Sequence, residues 1–339
     1  MKAPHYCLLG LAALVVVTAM VSLGVGPVWI APGRVIEALR SAGQAGPNAT
    51  DLTIVWELRF PRVLLGCCVG AGLGAAGAGY QGLFRNPLAD PFVIGASSGA
   101  AVGATLAIVA GLQGRLFGME LITIAGLAGA IVAVAIVYGI ASVGRQVPIL
   151  SLLLAGATVS SFAGAVVSLL MFLNDEKLST IVGWLMGSLS GRGWLVLGGM
   201  APLILAGCLT LWVMARSLDS LTFGEETAAA LGLRLGPLRG IVVIAASLAT
   251  AAAVAAGGVI GFVGLISPHV ARLMVGARHA LVIPASALVG MLLLLVADAA
   301  ARTCVAPGEL PVGVVTALLG SPFFLYLLKS RQGELGSPP

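Results

Sequence analysis

Few side chains in this sequence could take part in chemistry, because only 9% of its 339 residues are charged. Within the long apolar segments, the candidates for acid or base catalysis are His269 and Asp298. A membrane protease or a prenyl transferase needs a nucleophile paired with a base, or a cluster of aspartates. The sequence offers neither arrangement, so we expect a protein that is not an enzyme.

Metal binding by the chain itself is not expected either. The histidines are His5, His269 and His279, which are scattered, and the five cysteines form neither a C-x-x-C motif nor a Cys/His cluster. A protein metal site needs several such ligands together. We therefore interpret His269 and the preceding Pro268 as structural, with His269 packed or bonded to the backbone.

Asp298 stands four residues before Arg302, an order that favours an ion pair on one face of a helix. A carboxylate within a membrane is also a candidate for proton relay, which an ion-coupled secondary transporter would need. An acid and a base that neutralise each other near the end of a span add little to the free-energy cost of inserting the span in a membrane. We therefore prefer a structural role for Asp298 and keep the relay as the alternative.

Two further arginines open an apolar segment in the motif R-F-P-R at residues 59–62. Pro61 is tolerated there because the first turn of a helix has no use for its missing N–H. Arg59 and Arg62 are expected at the outer membrane surface. They are either ordinary arginines whose heads reach toward water, or, with Arg302, a docking site for an acidic partner.

The polar connection at 215–237 contains T-F-G-E, which matches the S/T-x-x-E capping box. We predict that a helix starts at Thr222, carries Glu225 and Glu226 in its first turn and ends at Gly232, within about 220–233. It is either an ordinary loop helix or a helix that couples to a partner. The coupling interpretation is favoured because active transport needs an energy source. No lysine of the chain lies in a Walker-type G-K-[ST] motif, so a partner would have to bind the ATP.

Composition places these residues in a membrane. Apolar residues make up 59% of the chain, and charge-poor runs of about 20 residues recur along it. We predict an all-α, polytopic helical bundle, a single domain over 1–339 with both termini on the cytoplasmic side. The basic residues form no stripe, which argues against nucleic-acid binding. The ten predicted spans are 7–26, 61–82, 92–112, 118–141, 148–172, 194–214, 238–257, 260–276, 281–301 and 312–329.

Six ordered strings resemble the FecCD-type permeases of bacterial ABC importers, which carry iron-siderophores, haem or cobalamin. They are R-F-P-R (59–62), QGLFRNPLADPFVIGASSG (81–99), GEETAAALG (224–232), GVIGFVGLISPHVARL (258–273), ADAAAR (297–302) and ELPVGVVTALLGSPFFLYLL (309–328). The second string includes Asn86 and Pro87, which we assign a structural role. The resemblance runs from end to end.

This resemblance implies a ten-helix subunit that forms a homodimer in the bacterial inner membrane, with two copies of a cytoplasmic ATPase that binds ATP-Mg. It implies that Gly224, Glu225, Glu226, Ala229 and Leu231 belong to the coupling helix. It also implies that Arg59, Arg62 and Arg302 receive acidic residues of a periplasmic or lipid-anchored substrate-binding protein.

For the cargo, the resemblance implies a metal chelate moved by alternating access, with ferric siderophore first, haem second and cobalamin third. Lys177 and Arg192 are candidate pathway residues that could attract an anionic chelate, although solvated loop charges would look the same. The chain itself is expected to bind no cofactor. An ion-coupled secondary transporter remains the alternative function.

Overall fold

The computed structural model describes residues 3–41, 49–116, 119–142 and 147–335, and they are largely helical. The α-helices are α1 (Ala3–Gly24), α2 (Pro32–Arg40), α3 (Ala49–Thr53), α4 (Phe60–Phe84), α5 (Ala96–Val109), α6 (Leu121–Ala141), α7 (Ile149–Phe172), α8 (Leu178–Leu185), α9 (Trp194–Val213), α10 (Ala215–Leu221), α11 (Glu225–Ala230), α12 (Leu235–Gly257), α13 (Val263–Val275), α14 (His279–Thr303) and α15 (Val312–Leu335). A π-helical turn (Ile54–Arg59), two 3-10 turns (Pro91–Ile94 and Asp175–Lys177) and a small antiparallel pair, β1 (Arg115–Leu116) with β2 (Met119–Glu120), complete the described elements.

Seven helices among the described residues are long and apolar enough to cross a membrane, judged by length and composition. They confirm a helical, polytopic membrane protein. Three of the ten predicted spans fall on shorter apolar helices, namely α5 with 14 residues, α13 with 13 residues and the Val312–Leu325 part of α15. For these three, a membrane crossing stays a prediction.

The centre of the bundle is α4, whose residues from Pro61 to Phe84 are nearly all buried. Small residues recur along it every four positions, and a Cβ added at Gly70 would clash with the backbone of Gly290 in α14. In a bilayer no hydrophobic drive brings helices together, so close backbone contact has to supply the attraction. The small residues of α4 therefore let α14, α12, α13 and α9 pack closely around it.

The bundle has two ends, which we name by their residues. The arginine face holds Arg59, Arg62, Arg192 and Arg302, where α4 and α9 begin and α1 and α14 end. The loop face holds the segment 215–232 with α10 and α11, where α4 ends and α14 begins. The described part of α15 starts near the arginine face, next to Glu309, and so runs toward the loop face, where α1 starts.

Candidate functional site

The three arginines predicted to act together do meet at the arginine face. A cavity of about 330 Å³ is lined there by charged side chains of the π-helical turn, α4, α14 and the loops that precede α9 and α15. Its charged lining consists of Arg59, Arg62, Arg192 and Arg302 with Glu57 and Glu309. Positive charge is in excess, so the cavity favours an anionic group, and partial burial strengthens that attraction over its value in water.

Arg59 is buried, and backbone carbonyls hold its guanidinium in place. Its Nη1 donates to the carbonyls of Leu23 and Gly24 at 2.8 and 2.9 Å, and its Nη2 donates to the Val28 carbonyl at 2.5 Å. The last carbonyls of a helix have no partner within that helix. Arg59 therefore caps the end of α1, and Gly26 leaves room for it, because a Cβ there would lie 2.7 Å from Nη2.

Arg62 and Arg302 share one buried carboxylate. Asp298 is 2% exposed, and it lies 3.1 Å from Arg302 Nε and 3.0 Å from Arg62 Nε. The predicted pair of Asp298 and Arg302 is thus present, but Arg62 joins it. Arg62 also contacts Glu309 at 2.9 Å. Sequence spacing revealed the i,i+4 pair, whereas the contacts of Arg62 cross 236 and 247 residues and leave no local signal.

Arg302 is anchored on α1 as well. Its Nη1 donates to the Val25 carbonyl at 2.9 Å, and its Nη2 donates to the hydroxyl of Ser22 at 2.6 Å. The end of α1 is therefore fixed by Arg59 from α4 and by Arg302 from α14. The guanidiniums that line the cavity are therefore already oriented, and their side chains are largely buried.

Arg192 connects this cavity to a second one. The second cavity, of about 210 Å³, is lined by Arg192 together with Trp184, Ser188 and Ser190, and Arg192 and Ser190 line the first cavity too. Arg192 pairs with Glu120 at 2.9 Å, and burial lowers the pKa of its guanidinium. Lys177 has a different position, since it donates to the Val109 carbonyl at the end of α5 at 2.8 Å.

The short helix predicted at 220–233 exists, although it starts in another way than the sequence suggested. Thr222 does not cap it. Its hydroxyl donates to the Asp219 carbonyl at 2.6 Å, so Thr222 ends α10 instead. Gly224, with φ at +104°, makes the turn into α11, and such a backbone suits glycine. The prediction of a capping box was therefore wrong.

The remaining features of this helix are as predicted. Glu225 and Glu226 occupy the first turn of α11. Gly232, with φ at +85°, follows its end. Ala228 is buried, whereas Ala229 faces solvent. The apolar side chains of Phe223 and Leu231, just before and after the helix, are 74% and 72% exposed.

The loop face also contains ion pairs that the sequence did not reveal. Glu225 lies 2.6 Å from Arg239 of α12 and 3.9 Å from Arg85, which follows α4. Asp219 of α10 accepts a hydrogen bond from the backbone N–H of His279 at 2.8 Å and lies 2.7 Å from its Nδ1. These contacts attach the loop to three central helices.

The residues interpreted as structural lie on the bundle framework. Asn86 accepts a hydrogen bond from the N–H of Leu88 at 2.9 Å, in the turn through Pro87 that follows α4. Pro268 is buried within α13. The ring of His269 packs edge-on against Phe323 of α15, with 6.1 Å between centroids. In the described part of the chain, no group of three His, Cys, Asp or Glu residues could hold a metal.

Known proteins resemble this chain over nearly its full length. The model of the FecCD transport family matches residues 14–330. The cobalamin import system permease protein BtuC of Halobacterium salinarum is 43% identical over 295 residues, covering 85% of this chain and 77% of the relative. The molybdate import system permease protein MolB of Haemophilus influenzae is 38% identical over 335 residues, covering 97% of each chain.

One solved structure has the same architecture. It is described as a metal-chelate type ABC transporter in an inward-facing conformation, and it matches with a TM-score of 0.83 and 35% identity over 95% of this chain and 98% of its own. The family model covers more than half of the chain, and the relatives are permeases of import systems. The chain therefore belongs to the FecCD transport family of ABC importer permeases, and it is a transport subunit in whose system ATP is hydrolysed by a separate subunit.

Proposed function

We propose that this permease works as a homodimer in the bacterial inner membrane and moves a metal chelate into the cytoplasm by alternating access. Two copies of a cytoplasmic ATPase, which bind ATP-Mg, would drive it, and a periplasmic or lipid-anchored binding protein would deliver the cargo. The observation that carries this proposal is the placement of two partner-ready surfaces at opposite ends of the bundle. The chain itself would need no cofactor.

Within the loop face, α11 with the flanking Phe223 and Leu231 is the proposed contact for the ATPase. α11 stands out from the bundle with Phe223 and Leu231 exposed, and large exposed apolar side chains on a soluble loop mark an interaction site. Glu226 is exposed in the same helix, whereas Glu225 is engaged by Arg239. The loop face would then be cytoplasmic. Because α1 begins and α15 ends toward the loop face, both termini would lie on that side.

The arginine face is the proposed contact for the binding protein. Its cavity presents a net positive lining of Arg59, Arg62 and Arg302, held rigid by carbonyls and carboxylates. Rigid, partly desolvated cations recognise a carboxylate well because no ordering cost remains to be met on binding. A glutamate or aspartate of the binding protein would enter this cavity.

The cargo proposal keeps ferric siderophore first, haem second and cobalamin third. All three are bulky chelates, and haem and most siderophores carry carboxylates or other anionic groups that Arg192 and Lys177 could attract. The two relatives are named as permease proteins of cobalamin and of molybdate import systems. Molybdate, an oxyanion, is therefore a fourth ligand to test. Binding of each ligand to the cognate binding protein would decide the order.

The test of the coupling surface uses vesicles that contain the permease and its ATPase. We expect Glu226→Lys combined with Phe223→Ser to lower ATP-driven uptake and co-purification of the ATPase about tenfold or more. Leu112→Ser is the matched control, because Leu112 is an exposed apolar residue (47%) in a loop away from α11. Unchanged association of the ATPase in the double variant would remove α11 from the coupling surface.

A further inference from the structure

Two helices of the bundle each contribute to both of its faces. α14 begins with His279 at the loop face and carries Asp298 and Arg302 at the arginine face. α4 begins beside Arg62 at the arginine face and ends before Arg85 at the loop face. With 25 residues, α14 spans about 37 Å at 1.5 Å per residue. One rod therefore joins the surfaces proposed for the two partners.

The seam between α4 and α14 makes them a single body. Gly70 and Gly290 face each other so closely that a Cβ on either would clash with the carbonyl of the other. One turn further along, a Cβ at Gly74 would clash with the carbonyl of Ser286. Backbones in such contact cannot slide independently, because any shift opens a gap or causes an overlap.

The arginine face locks the same two helices by charge. Asp298 of α14 lies 2.9 Å from Arg62 Nη2 of α4, and both side chains are buried. Removing one partner of a buried ion pair strongly destabilises the fold, because the other charge is left buried and unpaired. An anion that enters the cavity therefore acts on α4 and α14 together.

At the other end, the body is attached to the coupling loop through Asp219. The carboxylate of Asp219 receives two donors from His279, the backbone N–H at 2.8 Å and Nδ1 at 2.7 Å. His279 is 4% exposed, and its Nε2 side fits against Gly82 of α4, where a Cβ would clash. The first turn of α14 and the last turn of α4 thus form one socket that holds the loop.

The loop has a separate attachment to another helix. Glu225 of α11 lies 2.6 Å from Arg239 Nη2, and Arg239 belongs to α12. Arg239 Nη1 also donates to the Val147 carbonyl at 3.0 Å, which fixes its head. Glu225 therefore holds the loop to α12, with a longer contact of 3.9 Å to Arg85 after α4, and Asp219 makes the short contacts with the body of α4 and α14.

We propose that α4 and α14 move as one rigid body that transmits docking at the arginine face to the coupling loop, and that the contact between Asp219 and His279 is its point of attachment. This role rests on the proposed function of the two faces. Coupling between distant sites requires an element on which both ligands act. The rigid body is such an element, because the binding protein would contact one of its ends and the loop that would meet the ATPase is attached to the other.

The experiment compares variants of the attachment in the reconstituted complex of permease and ATPase. Asp219→Ala removes both contacts with His279, and Asp219→Asn keeps an oxygen that can accept them without the charge. Glu176→Gln is the matched control, because it neutralises an exposed acid of another loop. The readouts are co-purified ATPase, the basal rate of ATP hydrolysis, and the change in that rate when the cognate binding protein is added without cargo.

In Asp219→Ala we expect ATPase association and the basal rate to stay within about twofold of the wild type. We expect the response to the binding protein to fall about tenfold, the middle of the range typical for coupled sites. Asp219→Asn should retain most of the response. Because ATP and the binding protein would act on the same rigid body, the effect of ATP on the affinity of the binding protein should also fall in Asp219→Ala.

Three outcomes separate the two proposals. A full response in folded Asp219→Ala, or no response in the wild type, would overturn the rigid-body proposal. Full ATPase association in the Glu226→Lys, Phe223→Ser variant would instead overturn the assignment of α11. If Asp219→Ala cannot be recovered from membranes, two variants of His279 replace it. His279→Asn keeps a donor near the position of Nδ1 and should keep the response to the binding protein. His279→Leu has no such donor and should lose the response.

Discussion

Asp298 pairs with two arginines, and only one of these pairs could be predicted from its neighbours in the sequence. The i,i+4 spacing predicted its pair with Arg302, and that pair is present at 3.1 Å. Arg62 uses the same carboxylate from a helix that lies more than 200 residues away. The result is a buried cluster of two arginines and one aspartate, joined by the more exposed Glu309. Asp298 supplies the negative charge that both arginines share.

We predict that Asp298→Ala destabilises the protein by about 3 to 5 kcal/mol, because it leaves two buried guanidiniums without their shared partner. Thermal unfolding in detergent measures this. Asp51→Ala is the matched control, since the pair of Arg34 and Asp51 is slightly closer, at 2.7 Å, but exposed. The control should lose about 1 kcal/mol or less. Equal losses in the two variants would contradict the buried cluster.

Asp90 gives a prediction for pH. It lies between α4 and α5, where its carboxylate accepts the N–H of Phe92 at 2.7 Å, and burial raises its pKa from 3.8 to about 6. The folded state therefore holds this proton more tightly than the unfolded state does. The stabilisation is present below about pH 4 and is lost as the pH rises through about 6.

We expect Asp90→Asn to lack this dependence, because the amide oxygen still accepts the N–H but does not titrate. The measurement is the difference in unfolding temperature between wild type and Asp90→Asn at pH 4.5 and pH 7. The wild type should lose stability relative to the variant as the pH rises. A difference that is the same at both pH values would show that Asp90 has no raised pKa.

At the scale of elements, hydropathy predicted the helices and tertiary contacts decided their ends. The bilayer sets the length of an apolar segment that crosses it, so the seven long spans could be predicted from hydropathy. The position of α11, between two of these spans, was also predicted. The start of α11 was not. Thr222 and Glu225 have the spacing of a capping box, yet Thr222 completes α10 and Arg239 engages Glu225. The sequence does not show that competition.

The glycine spacing of α4 supports a prediction at this scale. We expect Gly70→Ala to reduce the yield of folded protein sharply, since its Cβ would meet the Gly290 backbone, which cannot move aside as a side chain can. Gly10→Ala in α1 is the control, with no atom within 4 Å of the added Cβ. The control should be neutral or slightly stabilising because alanine favours helix. Size-exclusion profiles of both variants, compared with wild type, provide the measurement.

At the scale of the whole molecule, the sequence indicated which residues would serve the two partners but not how the partners communicate. Arg59 and Arg62 share one motif and Arg302 lies in another, and although the three were predicted to act together, their spacing did not show that they line one cavity. Nor did the sequence indicate that α14 extends from that cavity to the coupling loop. Such relations arise when distant segments pack, and only the fold displays them.

The outer surface of the bundle supports a prediction about the proposed homodimer. α15 packs chiefly against α13 and α14 and leaves Leu318 and Leu319 68% and 61% exposed. A helix with so few neighbours in its own subunit is suited to the interface between the subunits of the proposed homodimer. A residue close to a two-fold axis faces its own copy in the partner subunit.

We therefore expect Leu319→Cys to form a disulfide-linked dimer in oxidised membranes, in a Cys304→Ser background that removes the exposed native thiol. Leu14→Cys on α1 is the control, because Leu14 is also exposed (51%) but belongs to a helix that is not proposed to face the partner subunit. Gel electrophoresis without reductant measures the yield. Efficient linkage of Leu14→Cys with none for Leu319→Cys would place α1, and not α15, at the interface between the subunits.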